Sequence, residues 1–188
     1  MDEKILAISC LCADILQALG HTADPQQKMS DAEVITTALV AMLFFRGNVE
    51  AARALLCAPW YLPDMLSRSR LSRRVHRLKE LRFTLFERLG QSWKQLNTDC
   101  LYILDSFPLA ACDHDRMPRA KLYQHEVSRG GIPSKKRYFY GLKAPLLVTQ
   151  DGRPIERYLT PGSYSDVRVL KTFQLDLPAG GHIYADKA

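Results

Sequence analysis

The 188-residue sequence has little of what marks several large protein classes. Its five cysteines, Cys10, Cys12, Cys57, Cys100 and Cys112, contain no CxxC pair, so a zinc knuckle is excluded and reduced core thiols are expected. No apolar run reaches the roughly 20 residues of a membrane span. The first residues carry Asp2 and Glu3 where a signal peptide would be basic, and Asp14 interrupts the apolar stretch that follows, so a cytoplasmic protein with no membrane partner is expected. There is no P-loop, no dinucleotide fingerprint, no GxSxG elbow around Ser106, no internal repeat and no low-complexity segment.

What is present is a chain rich enough in apolar residues (47%) to bury a core, with 26 Lys and Arg against 20 Asp and Glu. The excess is concentrated. From Leu66 to Gln95 nine bases face two acids, and the rest of the sequence is close to neutral. A basic stretch of this kind fits a polyanionic partner, and equally a solvated helix face.

The hydrophobic period divides the sequence in two. Up to about Gln95 it is helical: Ile5, Ile8, Cys12, Ile15, Leu16 and Leu19 form one face, closed by Gly20. Ser30 and Glu33 make a capping box for a second helix whose Val34, Ile35, Ala38, Leu39, Met42 and Phe45 are expected to face a core, ending at Gly47. Asn48 caps a third. After Pro59 and Pro63, a single long helix is predicted from Ser69, with Leu71, Val75, Leu78, Leu81, Leu85 and Leu89 buried. Arg70, Arg73, Arg74 and Arg77 fall near its start, largely off that stripe, and are candidate DNA contacts from a helix laid in a groove.

After Asn97 the pattern becomes that of strands: Cys100 to Ala111, Arg137 to Thr149, Arg153 to Thr160, then a short helix from Ser165 or Asp166, then His182 to Asp186. The segment from Arg129 to Arg137, glycine-containing and basic, reads as a phosphate-gripping loop with Lys135, Lys136 and Arg137 as its contacts, or as a solvated hairpin loop.

Two aspartates stand out. Asp105 interrupts the apolar run Leu101-Tyr102-Ile103-Leu104, where a buried charge would cost several kcal/mol unless compensated, and a metal ion would compensate it. Asp186 repeats the arrangement 81 positions later. If the two strands are parallel neighbours, both carboxylates come to one edge of a sheet, as hard-oxygen ligands for Mg²⁺ or Mn²⁺. Asp113-His114-Asp115, His125-Glu126 and His21 are read as structural or solvated rather than metal-binding.

Several ordered segments together, Tyr102-Ile103-Leu104-Asp105-Ser106-Phe107-Pro108, Ser134 to Lys143, Leu159-Thr160-Pro161-Gly162-Ser163 and Tyr184-Ala185-Asp186-Lys187-Ala188, resemble the DDE transposases of the insertion sequence 982 family. Ser69-Arg70 through His76-Arg77-Leu78 resembles that family's amino-terminal segment. The resemblance implies an α+β/α/β chain: an all-helical, helix-turn-helix-like DNA-binding region over 1–96, then a partial ribonuclease H-like mixed sheet over 97–188. It implies Asp105 as the first catalytic acid and Asp186 as the second, two Mg²⁺ ions, element terminal inverted repeats and target DNA as partners, and a homo-oligomer for the intact enzyme.

The family's third acid, a glutamate, is not found here, so a truncated and catalytically inactive copy with an exposed sheet edge is expected. Where the family carries histidine this sequence has Pro145, which predicts a bulge or a decaying copy. Two other functions remain open: a DNA-binding module or repressor without catalysis, and a structure-specific nuclease.

Overall fold

The computed structural model describes residues 1–113, 123, 125–132, 137–172, 175 and 177–185. It divides into two compact units, Met1–Arg88 and Leu89–Ala188.

The first unit is helical. α1 (Asp2–Ala18) buries Ile5, Cys12 and Leu16, as its spacing requires. α2 (Asp31–Phe45) begins with the full capping box: Ser30 Oγ accepts from the Glu33 amide at 3.2 Å, and Glu33 Oε2 accepts from the Ser30 amide at 2.6 Å. It ends where Arg46 turns left-handed (φ 52°) ahead of Gly47. α3 (Val49–Leu56) is capped by Asn48, which accepts from the Ala51 amide at 3.1 Å. Ile5, Val40, Ala41, Ala52 and Leu56 make the core between these helices.

The expected apolar stripe of α2 is only partly right. Val34, Ile35 and Ala38 are buried, but Leu39 and Met42 are exposed, and Thr36, Thr37, Val40 and Ala41 fill the interior instead. The helix packs against α1, α3 and α4 at once, so its first ten residues are covered nearly all round and a one-sided pattern cannot describe them.

The predicted long helix is two helices. α4 (Arg68–Arg77) and α5 (Lys79–Leu96) meet at Leu78, whose backbone (φ −84°, ψ 17°) leaves the helical region while its side chain stays buried. The Arg82 guanidinium donates to the Val75 carbonyl at 3.0 Å, supplying a partner beside the break.

The second unit is built on a mixed sheet: β1 (Leu101–Asp113), β2 (Arg129–Ile132), β3 (Arg137–Thr149), β4 (Pro154–Arg157), β5 (Thr160–Pro161) and β6 (His182–Ala185), with α6 (Asp166–Thr172) before the last strand. Among the described residues the order is β2-β3-β1-β6, with β4 and β5 also paired to β3. β1 and β3 are antiparallel over most of their length, and β6 runs parallel to β1.

The covered face carries Tyr102, Leu104, Leu147 and Ile155, packed against Trp93 of α5, Leu170 of α6, Leu175 and Leu177. α5 reaches β4 closely at Gly90, where a Cβ would stand 2.2 Å from the Ile155 carbonyl oxygen. Beside it Lys94 pairs with Glu156, which also accepts from the Tyr158 hydroxyl.

Three strand-level expectations need correction. Arg129–Ile132 is a strand paired with β3 rather than loop, because Gly130 lets it lie close: a Cβ there would meet the Phe139 ring at 2.4 Å. The expected third strand is split into β4 and β5. Pro145 makes no bulge: it faces Ser106 in an unshifted register. The Pro145 carbonyl accepts from Tyr158 on the β4 side, so the donor that proline lacks points to the same side, where β4 and β5 are interrupted. An internal proline is tolerated there because the backbone bond at that point runs from the Tyr158 amide to the Pro145 carbonyl and needs no donor from Pro145.

The cysteines are all free, as expected, but only Cys12 is buried, while Cys10 and Cys57 are exposed. Among the described residues no single helix is long and apolar enough to cross a membrane.

Candidate functional site around Asp105

The parallel pair β1/β6 sets the site. Its register runs Leu101↔His182, Tyr102↔Ile183, Ile103↔Tyr184 and Leu104↔Ala185. The next residues in the two sequences are Asp105 and Asp186. Asp105 continues β1 opposite Leu146 of β3. Asp186 lies outside the described residues, as do Lys135 and Lys136, and His114 and Asp115 of the Asp-His-Asp triplet.

Asp105 is exposed. The expectation of a buried charge in an apolar run is therefore wrong, and its cause is the pleat: Tyr102 and Leu104 point into the core, while Ile103 and Asp105 point to the other face. A run of apolar letters hid a two-residue alternation, because both faces of this strand are apolar around the acid. One carboxylate oxygen of Asp105 accepts from the Ser106 amide at 2.8 Å, which orients the group and leaves its other lone pairs available.

An exposed, oriented carboxylate is a suitable hard-oxygen donor for a divalent cation. By itself it is one ligand. Among the described residues no group of three or more His, Cys, Asp or Glu could hold a metal ion, so the fit of a metal here depends on what joins Asp105.

The four candidate arginines of α4 separate. Arg70, Arg73 and Arg77 are exposed and follow one another at helical spacings of three and four, forming one stripe. Arg74 points elsewhere: it donates to the Met29 carbonyl at 2.7 Å and to Gln27 Oε1 at 2.7 Å, and it pairs with Asp31. Asp31 is buried and also bonds His21 Nε2 at 2.8 Å. Arg74 is thus a tie inside the helical unit, and His21 is structural, as its reading had it. In the second unit Arg137 is exposed at the start of β3, and the Arg129 guanidinium lies 4.7 Å above the Tyr138 ring.

Residues 95–188, half of the chain, match the family model described as a transposase DDE domain. The chain belongs to that family. No curated protein and no solved structure gives a significant match.

For this transposase-family chain, helices followed by a mixed sheet with a parallel last strand are compatible with a partial ribonuclease H-like DDE domain. Sequence reasoning overlooked the exposed aromatic residues on the Asp105 face, Phe107 and Tyr184. Phe107 was legible as the residue two places beyond Asp105. Tyr184 became a neighbour only through strand pairing.

Proposed function

We propose that this chain is the DNA-processing part of a transposase of the insertion sequence 982 family, with Asp105 and Asp186 as the first two acids of its active site. The observation that carries the reading is the β1/β6 register, which reaches Leu104 and Ala185, the residues immediately before the two acids. The family match over the same strands supports it.

In this reading Asp105 and Asp186 hold Mg²⁺ or Mn²⁺. The ion, when bound, supplies Lewis-acid stabilisation of charge on the phosphate being cut or joined. The part played by the described residues is to present the Asp105 carboxylate on an open face, fixed by the Ser106 amide.

The helical unit contributes Arg70, Arg73 and Arg77 as phosphate contacts, and Lys135, Lys136 and Arg137 add a second basic segment. Terminal inverted repeats and target DNA are the proposed partners, and assembly as a homo-oligomer belongs to the same reading.

The exposed arginine stripe also favours a second reading, a DNA-binding module without catalysis that competes with complete enzyme. The test is titration of a labelled duplex taken from the DNA flanking the coding sequence, with and without Mg²⁺, scored for binding, cleavage and joining. Sequence-selective binding supports both readings, and metal-dependent cleavage supports the first. Binding indifferent to sequence, with cleavage governed by DNA structure, would overturn both in favour of a nuclease.

A further inference from the structure

The residues sharing the outer face of β1 are Ile103, Asp105, Phe107 and Leu109, every second one along the strand. The three apolar ones are 41%, 49% and 42% exposed. Tyr184, in register with Ile103, is 62% exposed. Leu101, Ile103, Gln150, Tyr184 and Ala185 line a hollow of about 370 Å³ at the Ile103 end of this face. The carboxylate therefore lies between two accessible aromatic rings, Phe107 on one side along β1 and Tyr184 on the other, beside Ile103.

Exposed aromatic faces flanking an acid are unusual without a purpose, since isolated aromatic rings gain more from burial than from water. The flat group that DNA can offer such a ring is an unpaired nucleobase, and stacking of this kind is indifferent to sequence. Tyr184 stands level with Ile103, so it and Phe107 are four residues apart along the sheet, about 13 Å, and bases stacked on the facing sides of the two rings would lie about 6 Å from one another, against the roughly 3.4 Å rise between stacked bases in a duplex. Bases on either side of a phosphate reach that spacing only when the strand is drawn open.

We propose that Phe107 and Tyr184 stack unpaired nucleobases on either side of the phosphodiester presented to Asp105, so that the site takes a DNA end whose last base pairs are opened. The proposal rests on the reading of Asp105 as the acid of a DNA-processing site. It makes Phe107 and Tyr184 positioning residues for the strand, selecting opened over fully paired ends.

The experiment uses the full 188-residue chain and an oligonucleotide carrying 2-aminopurine, offered single-stranded or fully paired, with a distant dye whose anisotropy reports binding. The unpaired strand should bind and its 2-aminopurine emission should be quenched. Phe107→Ala and Tyr184→Ala should each weaken single-strand binding roughly 5- to 100-fold, in line with the stacking lost per base, and leave duplex binding within about two-fold. Phe107→Leu, which keeps an apolar side chain without the ring, should behave like Phe107→Ala, and Phe107→Trp should restore quenching. If both alanine variants bind and quench the unpaired strand as the parent does, the stacking proposal is overturned and the transposase reading stands. If the parent chain binds neither strand nor duplex, both fall together.

Discussion

Leu104 on β1 lies directly opposite Ala185 on the parallel strand β6, although the two residues are far apart in the chain. Each is followed in sequence by an aspartate. In a parallel sheet, residues in register present side chains to the same face, so this pair bears directly on what the two acids do.

The first prediction concerns metal. Asp105→Asn and Asp186→Asn should each weaken Mn²⁺ binding by at least ten-fold, read by paramagnetic broadening or calorimetry, and Asp105→Asn should leave the unfolding temperature unchanged because Asp105 is exposed. Unaltered Mn²⁺ affinity in both variants would remove the acids from any shared site.

A second prediction separates the arginines of α4. Arg74→Ala strands the Asp31 carboxylate inside the helical unit and should destabilise that unit by about 3 kcal/mol, measured by denaturant titration. The triple change of Arg70, Arg73 and Arg77 to Ala should leave stability nearly intact and lower the salt dependence of duplex binding by about 3 in slope. A salt slope equal to the parent's would take this stripe out of the interface.

The contact between α5 and β4 gives a third. A methyl on Gly90 would collide with the backbone oxygen of Ile155, and backbone cannot swing aside as a side chain can. Gly90→Ala should cost about 1–3 kcal/mol even though alanine is the better helix former. A gain in stability would mean that the helix does not approach the strand this closely.

Alkaline pH provides a fourth. Burial, reinforced by the hydrogen bond to Glu156, pushes the Tyr158 hydroxyl well above its ordinary value. The folded state therefore holds the proton that the unfolded state releases from about pH 10, so this contribution is complete below pH 10 and is lost as pH rises through the folded value. Thermal stability of the parent should decline above pH 10 more steeply than that of Tyr158→Phe. Equal slopes would show that Tyr158 titrates alike in both states.

Much of this architecture is legible in the linear sequence, because the forces involved are local. The capping box at Ser30 and Glu33, the Asn48 cap and the glycine after α2 depend on hydrogen bonds and dihedral angles within a few residues, and the helices begin and end close to where those residues stand. The limits of β3 follow from its run of aromatic and aliphatic residues in the same way. The acids themselves, and their placement at or next to strands, can also be read without coordinates.

Only tertiary structure decided which partners those elements meet. Whether Arg74 faces solvent or Asp31 depends on α2 lying alongside α4, more than forty residues away in sequence. Whether Asp105 is buried depends on which face of β1 is covered by Trp93, Leu170 and Leu177, and whether Pro145 is harmful depends on where the strand opposite it breaks. Local rules set the shape of each segment because they act over one turn or one pleat. Burial, pairing and charge compensation act across space, and sequence distance carries no record of them.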